Sequence, residues 1–370
     1  MNNQNYVEAL KIPIYFLVLS GHWPTETSSF KNSMRCFLSW LIEIMFEVLL
    51  FMELFRHLDN LTALTAHMSI LTPPTSFLIK LIIFSLNRQK LKAIMKDLDS
   101  VTSYPEHLEI HKTRAIKYSK FLGTMYQWIC ASVVSIYSSM PFIYGFLPIK
   151  FSYAQGIWNY PVYVIQVLGL YNAACVNSCI DVLAYSLMSI AAAELDILNG
   201  KIIDAIPRYQ VDDEDIIGIL SECVKDHEKI ITFICNLENL YSDICLAQYL
   251  TSIIVICNIG FQLVNIEIGS IDFIKLLLFF TAMIIQLSIY CWNGNEIILK
   301  SIATRDACYN SNWINCGPGA RKLLFMISER SKKPLYLSAG KFSRLSLTTF
   351  TSVINTSYTY FNLMNTTNKQ

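Results

Sequence analysis

Charged side chains are scarce in this chain, and their scarcity excludes an ordinary soluble protein. Asp, Glu, Lys and Arg make up 15% of the 370 residues, whereas 53% of the residues are hydrophobic. A soluble domain has about 25% charged residues. Because the hydrophobic residues are gathered into long runs, the composition predicts a helical protein that crosses a membrane several times. The net charge of +1 gives no indication of a nucleic-acid partner, since the basic residues are spread over several loops.

Catalytic motifs are missing as well. The sequence has no His-Glu-x-x-His motif, no paired aspartates in a Gly-x-Gly-Asp setting and no glycine-rich phosphate loop. The 11 cysteines are predicted to be small apolar packing residues rather than metal ligands. His107 and His111 are four residues apart, but a solvated helix surface is favoured over a metal pair. We therefore predict no enzyme, no metal and no cofactor.

Seven segments are long and apolar enough to be predicted as membrane-spanning helices. They are residues 34–55, 65–86, 120–146, 160–191, 244–267, 271–299 and 339–364. No cleavable signal peptide is predicted in the mixed polar residues that precede the first span. The Pro73-Pro74 pair lies within the second span and is expected to kink it.

Lysine and arginine are distributed unevenly between the two sides of this seven-span arrangement. Residues 1–35, 87–120, 193–243 and 300–344 hold 24 of the 29 Lys and Arg residues, and the segments on the other side hold four. Because basic residues favour the cytoplasmic side, we predict a cytoplasmic amino terminus and an extracellular carboxyl terminus. A rhodopsin-like receptor has the opposite orientation, and its Asp-Arg-Tyr and Asn-Pro-x-x-Tyr motifs are absent.

The last predicted span carries polar side chains along one helical face. They recur at steps of four and three residues: Thr348, Ser352, Asn355, Thr359, Asn362 and Thr366. A helix that lies only in lipid gains nothing from such a face, whereas a helix that lines a water-filled path does. Close packing against a neighbouring helix is an equal alternative for Thr348 and Ser352, because small polar residues also permit it.

The acidic residues within the spans and at residues 212–215 are interpreted as structural rather than as functional sites. Glu43, Glu47 and Asp181 lie within predicted spans, but three scattered acids do not form a proton relay, so local pairing is favoured. The acidic run at residues 212–215 is interpreted as the first turn of a helix in water rather than as a cation site.

The carboxyl-terminal third resembles the insect odorant receptors. The matching residues keep the family's order and spacing: Tyr290–Glu296 (Tyr-Cys-Trp-Asn-Gly-Asn-Glu), Trp313, Lys333–Leu335, Ala339-Gly340, Ser346-Leu347, Phe350 and Ser357–Phe361. The related gustatory receptors rank second, because Thr359-Tyr360 is present but their closing Gln-Phe is not. The segment 193–243 leaves no room for the co-receptor's extended cytoplasmic region, so the chain resembles a ligand-specific tuning subunit.

The resemblance implies an all-α membrane protein that works as a tetrameric, ligand-gated, non-selective cation channel in the plasma membrane of olfactory sensory neurons. A tuning subunit of this kind assembles with the co-receptor, and a homotetramer is the alternative. Residues 1–299 would form the outer bundle, 300–338 the cytoplasmic subunit interface and 339–370 the pore-lining span with a short tail. Leu363 matches the family's hydrophobic gate, flanked by Asn362 and Thr366, while Asn355 and Thr359 continue the pore wall.

The ligand of such a receptor is a small volatile molecule, and its site is expected to be an aromatic and aliphatic pocket. In the family the pocket lies between the second, third, fourth and sixth spans. The candidates by depth are Trp128, Ser132, Ser135, Ile136, Ser139, Tyr163, Gln166, Phe273, Leu277 and Phe280. A transporter is a weaker alternative, since it would show two similar halves with interrupted helices. Asn60 begins a glycosylation sequon on the predicted outer side.

Overall fold

The computed structural model describes residues 6–24, 30–56, 61–99, 105, 107–144, 159–206 and 213–368. Across these residues the chain belongs to the all-α class. The helices are α1 Val7–Leu19, α2 Phe30–Leu54, α3 Leu61–Leu86, α4 Arg88–Asp99, α5 Glu109–Tyr144, α6 Asn159–Asp204, α7 Asp213–Asn265, α8 Ile271–Asn310, α9 Pro318–Ser331 and α10 Leu347–Asn368. The strands β1 Ser338–Ala339 and β2 Ser343–Arg344 pair in antiparallel fashion between α9 and α10. Asn60 lies outside the described residues.

Each predicted span lies on one of these helices, but several helices are much longer than a bilayer requires. α6 has 46 residues, α7 has 53 and α8 has 40. At about 1.5 Å per residue, α7 is about 80 Å long, more than twice the thickness of the hydrocarbon core. Within the described residues, α3, α6, α7 and α8 contain segments long and apolar enough to cross a membrane. The predicted number of seven spans stays a prediction.

The centre of the molecule is α6. From Ser178 to Leu187 every residue of this helix is buried, and α5, α7 and α8 all pack against it. Its sequence in this region is mostly apolar, with Asp181 as the charged exception, and burial on all sides is typical of a helix that is surrounded by other helices. The main hydrophobic core therefore runs along α6 and joins it to α1, α3, α7 and α8.

The last helix begins at Leu347, eight residues later than the predicted start of the seventh span at Ala339. The intervening residues belong to the β1–β2 hairpin. Gly340 and Lys341 both have a positive φ, a backbone conformation that a regular α-helix does not contain. The hairpin is attached to α7: the Ser338 amide donates to Glu238 Oε2 at 2.7 Å, and the Gly340 amide donates to the Ser242 carbonyl at 2.9 Å.

Gly294 explains why a small residue is needed in the Tyr-Cys-Trp-Asn-Gly-Asn-Glu motif of α8. A Cβ atom built on Gly294 would lie 2.5 Å from Leu345 Cβ and 2.6 Å from the Leu345 carbonyl oxygen. The chain that leads into α10 thus passes directly over α8 at this point. Any side chain at position 294 would push the start of α10 away from the bundle.

Two groups that were predicted to be solvated prove to join elements of the fold. Asp213, at the first turn of α7, accepts a hydrogen bond of 2.9 Å from the Gly317 amide in the segment before α9. His107 Nε2 lies 2.7 Å from Asp204, and His111 Nδ1 lies 3.6 Å from Asp196, so α5 is linked to α6. Asp213 and His107 are nevertheless exposed, in agreement with the predicted helix start in water and the predicted solvated face, and the partners on neighbouring elements are what sequence spacing did not reveal.

Candidate functional site

A cavity of about 230 Å³ lies among α3, α5, α6, α7 and α8. Its α5 wall consists of Tyr126, Ile129, Cys130, Val133 and Val134. These residues are spaced by three, one, three and one, so they form a single helical face. The other helices add mainly aliphatic and aromatic side chains, including Ile70, Phe77 and Met283. An apolar cavity with few polar groups suits a small, weakly polar ligand.

A buried ion pair between α3 and α6 borders the cavity through Lys80. Lys80 Nζ lies 2.9 Å from Asp181 Oδ1, and both side chains are almost fully buried. Lys80 also donates to Asn177 Oδ1 at 3.1 Å. The two lining residues Lys80 and Asn177 thus present this polar cluster to the cavity.

Asp181 is the centre of the cluster and accepts hydrogen bonds from several helices. Tyr290 of α8 donates to Oδ1 at 2.7 Å, Gln286 of α8 donates to Oδ2 at 2.6 Å, and Tyr126 of α5 donates to Oδ2 at 3.4 Å. Together with Lys80, these contacts join α3, α5, α6 and α8. A carboxylate in a membrane interior requires such pairing, because desolvation of an isolated charge is very unfavourable.

The local pairing predicted for the three intramembrane acids agrees with these contacts. Glu43 accepts a hydrogen bond from Asn172 Nδ2 at 3.0 Å, which joins α2 to α6. Glu47 accepts one from the Thr75 hydroxyl, which joins α2 to α3. Lys80 lies within the second predicted span and Asp181 within the fourth. The presence of a lysine in one span and an aspartate in another was the signal that could have identified this pair.

None of the ten predicted ligand-contacting residues lines this cavity. The second, third, fourth and sixth spans, which were predicted to form the pocket, do contribute to its walls as α3, α5, α6 and α8. On α5, Trp128 is 70% exposed, and Ser132, Ser135 and Ile136 are also exposed. These residues lie on the side of α5 opposite to the cavity face. Ser132 and Ser135 donate to carbonyls of their own helix at 2.8 Å and 2.7 Å, so their hydroxyls need no ligand.

The remaining predicted pocket residues have other neighbours. Ser139 donates to the Ile136 carbonyl at 2.8 Å, and Tyr163 donates to the Ser138 carbonyl at 3.2 Å. Gln166 is fully buried on α6. On α8, Leu277 is exposed, and Phe273 and Phe280 are half-buried. The residues that do line the cavity were missed because apolar side chains facing lipid and apolar side chains facing the interior look alike in sequence.

The polar stripe of α10 faces away from the rest of the chain. All six of its members are exposed, namely Thr348, Ser352, Asn355, Thr359, Asn362 and Thr366. The opposite face packs on α7 and α8 through the buried side chains Thr349, Val353 and Ser357. Packing of Thr348 and Ser352 inside this chain is therefore excluded. Leu363, at the edge of the stripe, is 62% exposed.

A single cluster of side chains links the cavity to α10. Met283 lines the cavity and also belongs to the hydrophobic cluster that holds Val353 of α10. Val255 and Ile259 of α7 and Leu287 of α8 complete the contact. The cavity wall and the buried face of α10 thus share one hydrophobic cluster, which α7 and α8 connect.

Outside the predicted membrane-spanning segments, a buried histidine of α7 lies near α9. His227 of α7 is buried, and burial together with the nearby Arg330 guanidinium lowers its pKa to about 4. The imidazole is therefore neutral at physiological pH. Within the described residues, no group of three or more His, Cys, Asp or Glu side chains is arranged to hold a metal ion.

Residues 60–358 match the protein-family profile described as 7tm Odorant receptor. Odorant receptor 94a of Drosophila melanogaster is 23% identical over 390 residues, which cover 98% of each chain. Odorant receptor Or2 of Anopheles gambiae is 29% identical over 145 residues, or 39% of this chain and 38% of that protein. The insect olfactory receptor OR5 from Machilis hrabei, solved in complex with eugenol, superposes with a TM-score of 0.86 at 14% identity, covering 98% of this chain and 100% of that one.

Proposed function

The chain belongs to the 7tm odorant receptor family, and from this premise we propose that it is a tuning subunit of a ligand-gated cation channel. Its family consists of receptors and ion channels rather than enzymes, and the chain is a multi-pass membrane protein. The channel is a non-selective cation channel, opened by a small volatile molecule. It is a tetramer that contains the odorant co-receptor, and it acts in the plasma membrane of olfactory sensory neurons.

The observation that carries this proposal is the uncovered polar face of α10. Six hydroxyl and amide side chains point away from the protomer along the whole helix. Lipid offers them no hydrogen-bond partner, whereas a water-filled path between subunits does. Four copies of α10, from this chain and its partners, surround the pore. A ring that includes Leu363 closes it by excluding water, and Asn362 and Thr366 border the gate.

The cytoplasmic part of α8 and the helix α9 form the subunit interface in this proposal. Tyr309, Ile314, Phe325 and Met326 are large apolar side chains that the protomer leaves exposed there. Exposed apolar side chains gathered in one region favour association with another protein. The excess of Lys and Arg in residues 300–344 supports a cytoplasmic location for this region and for the amino terminus, with seven spans and an extracellular carboxyl terminus.

The volatile ligand binds in the cavity among α3, α5, α6, α7 and α8. Support comes from its apolar lining and from its contact with α10 through Met283 and Val353. The related OR5 was solved with eugenol, a small volatile molecule. To open the pore, the ligand must bind more tightly when the outer ends of the α10 helices have separated, since equal affinity for both states would shift nothing.

Expression in a heterologous cell with and without an insect odorant co-receptor tests the proposal. Membrane current is recorded against a broad panel of volatile compounds, and surface delivery is measured by labelling an extracellular tag. We expect ligand-evoked cation current when both subunits are present. Current from this chain alone supports the homotetramer instead. Absence of evoked current in both conditions, with the protein at the surface, refutes the channel.

Two variants locate the ligand. Ala substitution of Met283 removes cavity lining, whereas Ala substitution of Trp128 removes a side chain that sequence analysis predicted as a ligand contact. We expect the Met283→Ala variant to change ligand sensitivity, and the Trp128→Ala variant to leave it near the wild-type value. The reverse pattern supports the sequence-based pocket over the cavity.

A further inference from the structure

Ser76 of α3 has a buried hydroxyl with no hydrogen-bond partner among the described residues, and it lies on the wall of the cavity. The side chain is 5% exposed. Serines within helices usually donate to a carbonyl of their own helix, as Ser132 and Ser252 do here. A buried hydroxyl that makes no bond is unfavourable and rare in native proteins. The hydroxyl of Ser76 is therefore available to a molecule in the cavity.

Lys80 lies one helical turn beyond Ser76 and lines the same cavity. A lysine ammonium group has three donors. The hydrogen bonds to Asp181 and Asn177 account for two of them. Residues four positions apart on a helix lie on the same face, so Ser76 and Lys80 are neighbours on the cavity wall.

Each of the other polar side chains of the lining makes at least one hydrogen bond. Asn177 accepts from Lys80, Gln286 and Tyr126 donate to Asp181, Gln248 donates to Ser252 at 3.2 Å, and Thr251 donates to the Ala247 carbonyl at 2.7 Å. The rest of the lining is predominantly apolar. Among the described lining residues, Ser76 is thus the polar side chain that makes no hydrogen bond, and Lys80 lies beside it.

Resting on the function proposed above, we infer that the ligand is a compact neutral molecule with one carbonyl or hydroxyl oxygen, which is hydrogen-bonded by Ser76 with support from Lys80. A pure hydrocarbon leaves the Ser76 hydroxyl unpaired. An ammonium ligand faces the Lys80 ammonium. A carboxylate brings an extra negative charge into an apolar cavity where Asp181 already neutralises Lys80. The volume of about 230 Å³ is below that of a site for drug-sized ligands.

Two sets of probes with matched carbon skeletons test this inference on the full-length channel. The aromatic set is acetophenone, α-methylbenzyl alcohol, ethylbenzene and α-methylbenzylamine. The aliphatic set is methyl pentyl ketone and the alcohol, alkane and primary amine built on the same skeleton. In at least one set we expect the ketone or the alcohol to be about tenfold or more potent than the alkane and the amine, because the alkane cannot pair with Ser76 and the ammonium group of the amine faces the Lys80 ammonium.

The variant Ser76→Ala removes the hydroxyl and leaves no unpaired group, so it is expected to fold at least as well as wild type. It should raise the half-maximal concentration of the active ketone or alcohol about three- to tenfold, as expected for the loss of one neutral hydrogen bond. Ser85→Ala is the matched control. Ser85 lies on the same helix and its hydroxyl is also buried without a partner among the described residues, but it does not line the cavity.

Thermal stabilisation of the purified protein by each probe measures binding independently of current. If the oxygenated probes stabilise the wild-type protein but not Ser76→Ala, while no probe evokes current, the inference about the ligand is supported. The same result refutes the proposal that the chain forms a ligand-gated channel. If alkanes evoke as much current as ketones, or if Ser76→Ala leaves the current unchanged, the proposal of a ligand-gated channel is supported and the inference about the ligand is overturned. If the amines are the strongest probes, or if no probe gives either current or stabilisation, the inference is overturned.

Discussion

Replacing Lys80 by methionine is expected to destabilise the protein severely, because it removes the positive charge beside Asp181. Methionine has a similar length, so the cavity wall keeps its shape while the ion pair of 2.9 Å is lost. The Asp181 carboxylate then remains fully buried, with hydrogen bonds from Tyr290, Gln286 and Tyr126 only. Removing one partner of a buried ion pair costs about 3–5 kcal/mol, since the other charge stays desolvated and unpaired.

The double variant Lys80→Met/Asp181→Asn separates the charge from the packing. The amide introduced in place of the Asp181 carboxylate would be neutral and would still accept a hydrogen bond from Tyr290, so most of the lost stability should return. Two contacts change, because wild-type Asp181 Oδ2 accepts from both Gln286 and Tyr126. The amide nitrogen of asparagine cannot accept the hydrogen bond from Gln286, whereas the Tyr126 hydroxyl can accept one from that nitrogen instead. We expect the double variant to lie within about 1–2 kcal/mol of wild type.

The apparent melting temperature of the purified protein in lipid nanodiscs measures these differences. At about 2 °C per kcal/mol for a large protein, Lys80→Met should melt about 6–10 °C below wild type. Lys275→Met is the matched control, because Lys275 pairs at 2.9 Å with an exposed aspartate at the start of α8. Such a surface pair contributes less than about 1 kcal/mol. If Lys80→Met melts as the Lys275 variant does, the reasoning about the buried pair is refuted.

Three further predictions concern other parts of the molecule. Gly294→Ala should reduce surface expression or ligand-evoked current, because its methyl group would lie 2.5 Å from Leu345 Cβ; a variant that matches wild type in both measurements contradicts that packing. Leu363→Ala should increase ligand-independent current by widening the gate, whereas Leu363→Met should keep the pore closed; unchanged basal current in the alanine variant removes Leu363 from the gate. The pKa of His227 in the folded chain is about 4, below its ordinary value of 6.5. As the pH falls from about 6.5 to about 4, the unfolded chain therefore binds a proton that the folded chain does not. The free energy of unfolding then decreases by up to about 1.4 kcal/mol per pH unit. His227→Gln should weaken that dependence in melting curves between about pH 7.5 and about pH 5, and an unaltered dependence would mean that His227 is not its source.

The polar face of α10 was predictable from sequence because helical periodicity alone determines which residues share a face. The six polar side chains from Thr348 to Thr366 are all exposed, as a pore-lining stripe requires. The start of the helix was not predictable, since it depends on the hairpin that Glu238 and Ser242 of α7 hold in place. The hydrophobic character of the sequence begins at about Ala339, so the hydropathy pattern gave no sign of this tertiary contact.

The cavity residues illustrate the opposite case. Trp128 and Ile129 are adjacent in α5, yet only Ile129 lines the cavity. In a membrane both sides of a helix meet apolar surroundings, so composition does not reveal which side faces the interior. The pairing of Lys80 with Asp181 could be predicted from the high cost of isolated charges in lipid. The unpaired hydroxyl of Ser76 could not, because it depends on the absence of neighbours in three dimensions.

The continuity of α7 sets a mechanical limit on how ligand binding is transmitted. Gln248, at the cavity, and Glu238, at the β1–β2 hairpin, are both on this unbroken helix. Their separation is about 15 Å at 1.5 Å per residue, so a tilt of about 5° about Gln248 displaces Glu238 by only about 1.3 Å. Because this part of α7 is short and stiff, a small tilt at the cavity produces only a small displacement at the hairpin. In the proposed tetramer, the larger part of any pore dilation must therefore arise where the four protomers meet and add their small displacements around the central axis.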